Sequence, residues 1–150
     1  MAVEAAARPA VARLKITETF YSLQGEADAV GWPTFFIRLT GCPLRCQYCD
    51  TAYAFHGGEW QPVAGLVEQA RQSGARHVCI TGGEPLAQKQ CLSLLADLRD
   101  AGFTASLDTS GAIDGYTERG GGPANAVFPD DDFESLIARI GWQITHHAPT

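Results

Sequence analysis

The stretch TFFIRLTGCPLRCQYC, from Thr34 to Cys49, joins two unlike halves, and what each half demands sets the organisation of the rest of the chain. Thr34 to Leu39 is a nearly continuous apolar run broken only by Arg38. That is the pattern of a strand covered on both faces in a parallel sheet, whereas a strand with one wet face alternates. Thr40-Gly41 stops the run, and Cys42, Cys46 and Cys49 follow within eight residues beside Pro43. A strand that runs straight into a thiol-rich loop puts that loop at its carboxyl end, where open α/β sheets and barrels keep their ligand sites.

Working outward, Leu14 to Ser22 alternates apolar Leu14 and Ile16 with Lys15 and Thr17 and is rich in β-formers, so it predicts a strand or half-hairpin. Pro62 to Ser73 places Val63, Leu66, Val67 and Ala70 at helical spacing, with Gly74 as the stop. His77 to Ile80 is a second short apolar strand entering Thr81-Gly82-Gly83-Glu84-Pro85. Leu86 to Ala101 predicts a helix with Leu92, Leu95, Ala96 and Leu98 opposed by Lys89, Asp97 and Arg99, closed by Gly102. Phe103 to Leu107 predicts a third strand, ending in Asp108-Thr109-Ser110-Gly111. Strand, helix, strand, helix, strand with short glycine-bearing links implies right-handed βαβ crossovers. The resulting α/β sheet would have three parallel strands, and its strand-end motifs would share one surface. No fourth βα unit is visible, so the sheet is expected to leave an open edge.

Composition bounds the function. With 150 residues, 45% of them apolar and 19% charged, the chain has the material for one globular domain. A net charge of −6 with only 11 Lys and Arg, and no basic run, argues against nucleic acid as a direct partner. The opening MAVEAAARPAVARLK is interrupted by Glu4, Arg8, Pro9 and Arg13, unlike a signal peptide, and no apolar stretch approaches a membrane span of about 20 residues. No membrane association and a cytoplasmic location are expected. Five cysteines, an odd count, suit metal or catalytic use better than a disulfide framework.

Three clustered thiols leave alternatives open. A structural zinc site wants four ligands, with His56 near enough in sequence to be the fourth. Cys79 lies inside an apolar strand and Cys91 on a predicted helix, His77 at a strand start, and His146-His147 in the tail. An iron–sulfur cluster suits soft thiolates in a short loop, and three thiolates on a four-iron cluster leave one iron open to substrate or cofactor. An electron carrier would ordinarily close the cluster with a fourth cysteine. Among the other polar candidates, Arg38 also fits a strand-end surface arginine, Gln24-Gly25-Glu26 a turn, and Asp50-Thr51 a helix cap. Asp108-Thr109-Ser110-Gly111 suits pocket lining by its strand-end position.

Cys42-xxx-Cys46-xx-Cys49, with Tyr48 before the last cysteine, resembles the signature of radical S-adenosylmethionine enzymes, and Thr81-Gly82-Gly83-Glu84-Pro85 resembles that family's GGEP motif. The flanks, Phe20-Tyr21-Ser22-Leu23-Gln24-Gly25-Glu26, Phe36-Ile37-Arg38-Leu39-Thr40-Gly41-Cys42 and Cys49-Asp50-Thr51, are similar to the 7-carboxy-7-deazaguanine synthase family of queuosine biosynthesis. The resemblance runs from about Leu14 to Asp114. It implies the N-terminal portion of a partial TIM-type βα barrel and a lyase that turns 6-carboxy-5,6,7,8-tetrahydropterin into 7-carboxy-7-deazaguanine with loss of ammonia. In such enzymes a reduced 4Fe–4S cluster cleaves S-adenosylmethionine to a 5′-deoxyadenosyl radical that takes hydrogen from the pterin. No side chain need be catalytic beyond that radical.

Carried onto this sequence, the resemblance implies that Cys42, Cys46 and Cys49 hold the cluster. Tyr48, Cys49, Asp50 and Gly83 would meet S-adenosylmethionine, and Thr51 would bind Mg²⁺. Leu23, Gln24, Gly25, Arg38 and Thr81 would meet the pterin, with Arg38 gripping its carboxylate. It also implies a homodimer and a flavodoxin-type reductant. Residues 1–13 are expected to be an N-terminal extension and 14–114 the partial core. Residues 115–150 match no family pattern; the glycine-dense opening predicts a shifted frame, an early stop or a diverged tail, with one possible helix over 130–139. Low or absent turnover is the expectation for such a chain.

Overall fold

The computed structural model describes residues 11–26, 29–110 and 144–146. Its elements are strand β1 (Arg13–Leu23), β2 (Pro33–Leu39), β3 (Glu59–Pro62), helix α1 (Val63–Ser73), β4 (His77–Gly82), α2 (Cys91–Asp100), β5 (Thr104–Thr109) and β6 (Ile144–His146), with single 3-10 turns at Ala52–Phe55 and Pro85–Ala87. The six strands form one sheet in the order β3-β1-β2-β4-β5-β6. β1 is antiparallel to both β2 and β3, whereas β2, β4, β5 and β6 run parallel. This is the expected α/β architecture with parallel strands.

The pleat divides the sheet into two faces with different tasks. Phe35, Ile37 and Leu39 of β2, Val78 and Ile80 of β4, and Ala105 and Leu107 of β5 join Val63, Leu66, Val67 and Ala70 of α1 and Leu92, Leu94, Leu95 and Leu98 of α2 in one buried core. The alternate residues, Phe36 and Arg38 of β2 and Thr81 of β4, open on the opposite face. Both faces of β2 are therefore covered, which is why its sequence reads as a run and not as an alternation. β1 serves both faces in turn. Its pairing shifts by one residue between Ile16, opposite Leu39, and Glu18, opposite Arg38. Leu14 and Ile16 belong to the helix-side core, whereas past this bulge Glu18 and Phe20 share the face of Arg38 and Phe36.

α1 begins at Val63 and ends in Gly74, whose φ of 74° is the left-handed conformation of a helix C-terminus, with its N–H donating to the Arg71 carbonyl. Two sequence expectations are corrected, and one strand went unread. The helix expected from Leu86 starts only at Cys91, because Pro85–Ala87 forms a 3-10 turn and the Gln88 side chain is committed elsewhere. Strand β3 was invisible: four residues ending in proline carry no readable period. The parallel part of the sheet has four strands rather than three, because β6 pairs with β5 through Leu107–Ile144, Asp108–Thr145 and Thr109–His146. The expected edge beyond β5 is thus occupied. The helix predicted over 130–139, the glycine-rich segment after Gly115, Gly111 and His147 lie outside the described residues. Among the described residues no helix is long and apolar enough to cross a membrane.

Candidate functional site

The carboxyl ends of β2, β4 and β5 meet, and backbone bonds tie the first two together. Gly83 N–H donates to the Leu39 carbonyl at 3.3 Å and Glu84 N–H to the Gly41 carbonyl at 2.9 Å. A β-carbon at Gly83 would collide with the Gly41 carbonyl oxygen and lie 2.6 Å from Cys42 Cβ, so only glycine lets the TGGEP turn come this close to the cysteine loop. Gly41 N–H in turn donates to the Ala54 carbonyl at 2.7 Å. Gln88 completes the frame. Its amide accepts from Lys15 N–H at 2.8 Å and donates to the Lys15 and Thr40 carbonyls at 2.7 and 3.0 Å, so one side chain bridges β1 and the residue that follows β2.

On this frame the loop from Cys42 to Cys49 carries three free, half-buried thiols. Arg45 shapes the loop from within, donating through Nη1 to the Cys42 and Leu44 carbonyls while its guanidinium lies 4.1 Å over the Phe55 ring. Cys49 N–H donates to the Cys46 carbonyl. Burial pushes the Cys42 thiol up, with the charge of Glu84 and of the other two cysteines adding to it, so a bound cation is what would hold it as thiolate. Among the described residues no three His, Cys, Asp or Glu side chains converge tightly enough for a single metal ion, and His56 is exposed outside the cavity. The thiols instead line a shared space, which fits a group whose irons take one thiolate each.

That space is a cavity of about 500 Å³ at the strand ends. Every residue to which the family resemblance gives a role borders it: the three cysteines with Tyr48, Asp50 and Thr51 on one loop, Gly83 and Thr81 at the end of β4, Arg38 at the end of β2, and Leu23, Gln24 and Gly25 where β1 leaves the sheet. Gln24 is buried, and its Oε1 accepts the Gly25 N–H at 2.9 Å. Thr51 stands at the start of the 3-10 turn without capping it through its side chain; its hydroxyl donates to Asp50 Oδ1 at 2.6 Å. Asp108, Thr109 and Ser110 border the same cavity.

The geometry adds residues that sequence reasoning passed over. Glu84 is fully buried and both its carboxylate oxygens are met by the Thr109 hydroxyl, Oε2 at 2.9 Å. Burial raises its proton affinity against the pull of that bond and of Ser110. Phe20 stacks on Phe36 with ring centroids 4.8 Å apart, flooring the cavity. Glu18 and Tyr53 surround Arg38: Nε donates to Glu18 Oε1 at 2.8 Å, Tyr53 donates to the same oxygen at 2.6 Å, and the guanidinium lies 5.6 and 5.7 Å from the Phe20 and Tyr53 rings. Only the bulge could have announced Glu18, since strict alternation assigns it to the helix-side core with Leu14 and Ile16. Cys79 and Cys91 are buried away from the loop, as their apolar settings implied, with Cys79 Sγ 3.3 Å from Asp108 Oδ2.

Three thiols and a glycine-built turn thus share one strand-end cavity. Residues 36–119 match the model of the Radical SAM superfamily, and the chain belongs to that family, which implies a 4Fe–4S cluster and S-adenosylmethionine. Among its relatives are 7-carboxy-7-deazaguanine synthases. The one from Rhodopirellula baltica is 42% identical over 114 residues, covering 72% of this chain and 43% of the relative. The one from Methanospirillum hungatei is 48% identical over 101 residues, covering 67% and 43%. The crystal structure of QueE from Escherichia coli aligns with a TM-score of 0.60 at 35% identity, covering 66% of this chain and 53% of that one. The chain spans about half the length of the curated relatives it matches.

Proposed function

We propose that this chain carries the cluster-binding end and part of the pterin pocket of a 7-carboxy-7-deazaguanine synthase, a lyase acting on 6-carboxy-5,6,7,8-tetrahydropterin. The observation that carries the proposal is that a single cavity of about 500 Å³ is bordered both by the three cysteines and by Leu23, Gln24, Gly25, Arg38 and Thr81. A reduced cluster with S-adenosylmethionine supplies the hydrogen-abstracting radical. The chain's own residues hold, orient and shield.

Cys42, Cys46 and Cys49 would each take one iron and leave one free for S-adenosylmethionine, whose amino group would meet the Gly83 backbone and whose other polar groups would meet Tyr48 and Asp50. Gly83 borders the cavity, which puts its backbone within reach of a ligand there. Thr51 would give Mg²⁺ one oxygen, with water and substrate supplying the others. The Phe20–Phe36 floor offers a flat apolar surface to the pterin, Gln24 and Thr81 offer hydrogen bonds to its edge, and Arg38 offers a fork to its carboxylate. A homodimer, a flavodoxin-type reductant, a cytoplasmic setting and a core spanning 14–114 belong to the same proposal.

The test is anaerobic reconstitution of the full chain with iron and sulfide, followed by electron paramagnetic resonance with and without S-adenosylmethionine and a product assay on the tetrahydropterin. The expected outcome is a cluster whose signal changes with S-adenosylmethionine and is kept in Arg38→Ala, with low turnover at most in the parent chain and none in that variant. Stoichiometric zinc without a chromophore, or a cluster indifferent to S-adenosylmethionine, would overturn the proposal.

A further inference from the structure

We infer that Glu18 and Tyr53 are positioning residues that turn the Nη end of Arg38 into a fixed two-pronged receptor for an anionic substituent of the ligand; the inference rests on the synthase reading and concerns the same cavity. A guanidinium can present a carboxylate with either of two edges, Nε with one Nη or the two Nη nitrogens together. Here the first edge is taken. Glu18 Oε1 accepts from Nε at 2.8 Å, and the Tyr53 hydroxyl donates to the same oxygen at 2.6 Å, which fixes where that oxygen sits. The guanidinium carbon also lies 5.6 Å from the centre of the Phe20 ring and 5.7 Å from that of the Tyr53 ring, two cation–π contacts that restrain it further.

What is left is the Nη pair, which among the described residues has no hydrogen-bond partner, on an Arg38 side chain 16% exposed at the cavity wall. The ion pair with Glu18, itself 39% exposed, adds little to stability, so its consequence is orientation. The arrangement keeps its charges near neutral pH. The Tyr53 hydroxyl, then Arg38, hold the Glu18 carboxyl below its usual value against some burial, and the bond to Glu18 holds the Tyr53 proton in place. Two elements far apart in sequence, β1 past its bulge and the 3-10 turn after Thr51, thus converge on a β2 residue.

The test compares binding of pterin-6-carboxylate with binding of pterin lacking the carboxylate, each followed by ligand fluorescence on the full chain. Glu18→Ala is expected to weaken the carboxylate ligand about tenfold and the plain pterin less than about twofold, as for loss of one charge-assisted contact's geometry. Glu18→Gln, whose amide oxygen accepts from both donors, is expected to recover most of the difference, and Tyr53→Phe to show a smaller loss of the same selectivity. Equal weakening of both ligands by Glu18→Ala, no weakening of either, or no rescue by Glu18→Gln would overturn the inference. If the unaltered chain shows no preference for the carboxylate, the synthase reading fails instead. Positioning is then read from the Arg38 Nε–H resonance: slow exchange lost in Glu18→Ala upholds it, and slow exchange that persists refutes it.

Discussion

Gly83→Ala is the sharpest perturbation of the cofactor frame. The added methyl would overlap the Gly41 carbonyl oxygen and stand 2.6 Å from Cys42 Cβ and 2.8 Å from the Gly41 carbonyl carbon, where ordinary contact begins at 3.4 Å. Restoring contact distance to Cys42 alone demands a displacement of about 0.8 Å. Neither side yields easily, because the bonds from Gly83 N–H to Leu39 and from Glu84 N–H to Gly41 lock the two backbones together. Overpacking of this kind costs about 1–3 kcal/mol. For a chain of 150 residues that is a melting temperature lower by roughly 2–12 °C. The displaced group is a proposed cluster ligand, and sites of this kind tolerate only about 0.5 Å of misplacement, so iron bound after anaerobic reconstitution should fall to less than about half. Thermal melting of the cluster-free chain and iron and sulfide analysis read the two effects separately. Gly25→Ala is the control, since nothing lies within 4 Å of a β-carbon there. A Gly83→Ala chain that melts with the parent and loads a full complement of iron would refute the close-approach argument.

Serine at Cys42, Cys46 or Cys49 should abolish the chromophore on reconstitution, whereas Cys79→Ala should keep its iron count while costing about 1–2 kcal/mol in denaturant unfolding for the lost buried sulfur. Gln88→Ala removes three bonds of 2.7 to 3.0 Å and should lower unfolding free energy by about 2–4 kcal/mol, a loss that urea titration would detect. Glu84 predicts a pH dependence. Its folded carboxyl binds its proton more tightly than the ordinary 4.5, so the native state holds more protons than the unfolded chain above that pH, and stability falls as pH rises through the window upward from 4.5. Glu84→Gln should flatten that fall, and melting curves of the cluster-free parent and variant with identical slopes against pH would refute it.

The sequence by itself determined the parts whose physics is local. The β2 run, the helical spacing of Val63, Leu66, Val67 and Ala70, the stop at Gly74 and the cysteine spacing all follow from neighbours a few residues apart, and each lies where it was read. The strand-end placement of the cysteine loop, TGGEP and Asp108-Thr109 followed from the order of elements alone. Tertiary structure decided the rest, because it depends on partners distant in the chain. Whether Gln88 continues a helix or bridges Lys15 and Thr40 is settled by residues 73 and 48 positions away. β3 and β6 are too short to carry a period, and exist because β1 and β5 offer them unpaired edges. Above all, the one-residue shift in β1 moves Glu18 from the hydrophobic side to the side of Arg38, and a period-two pattern cannot foresee a shift that only the pairing with β2 creates.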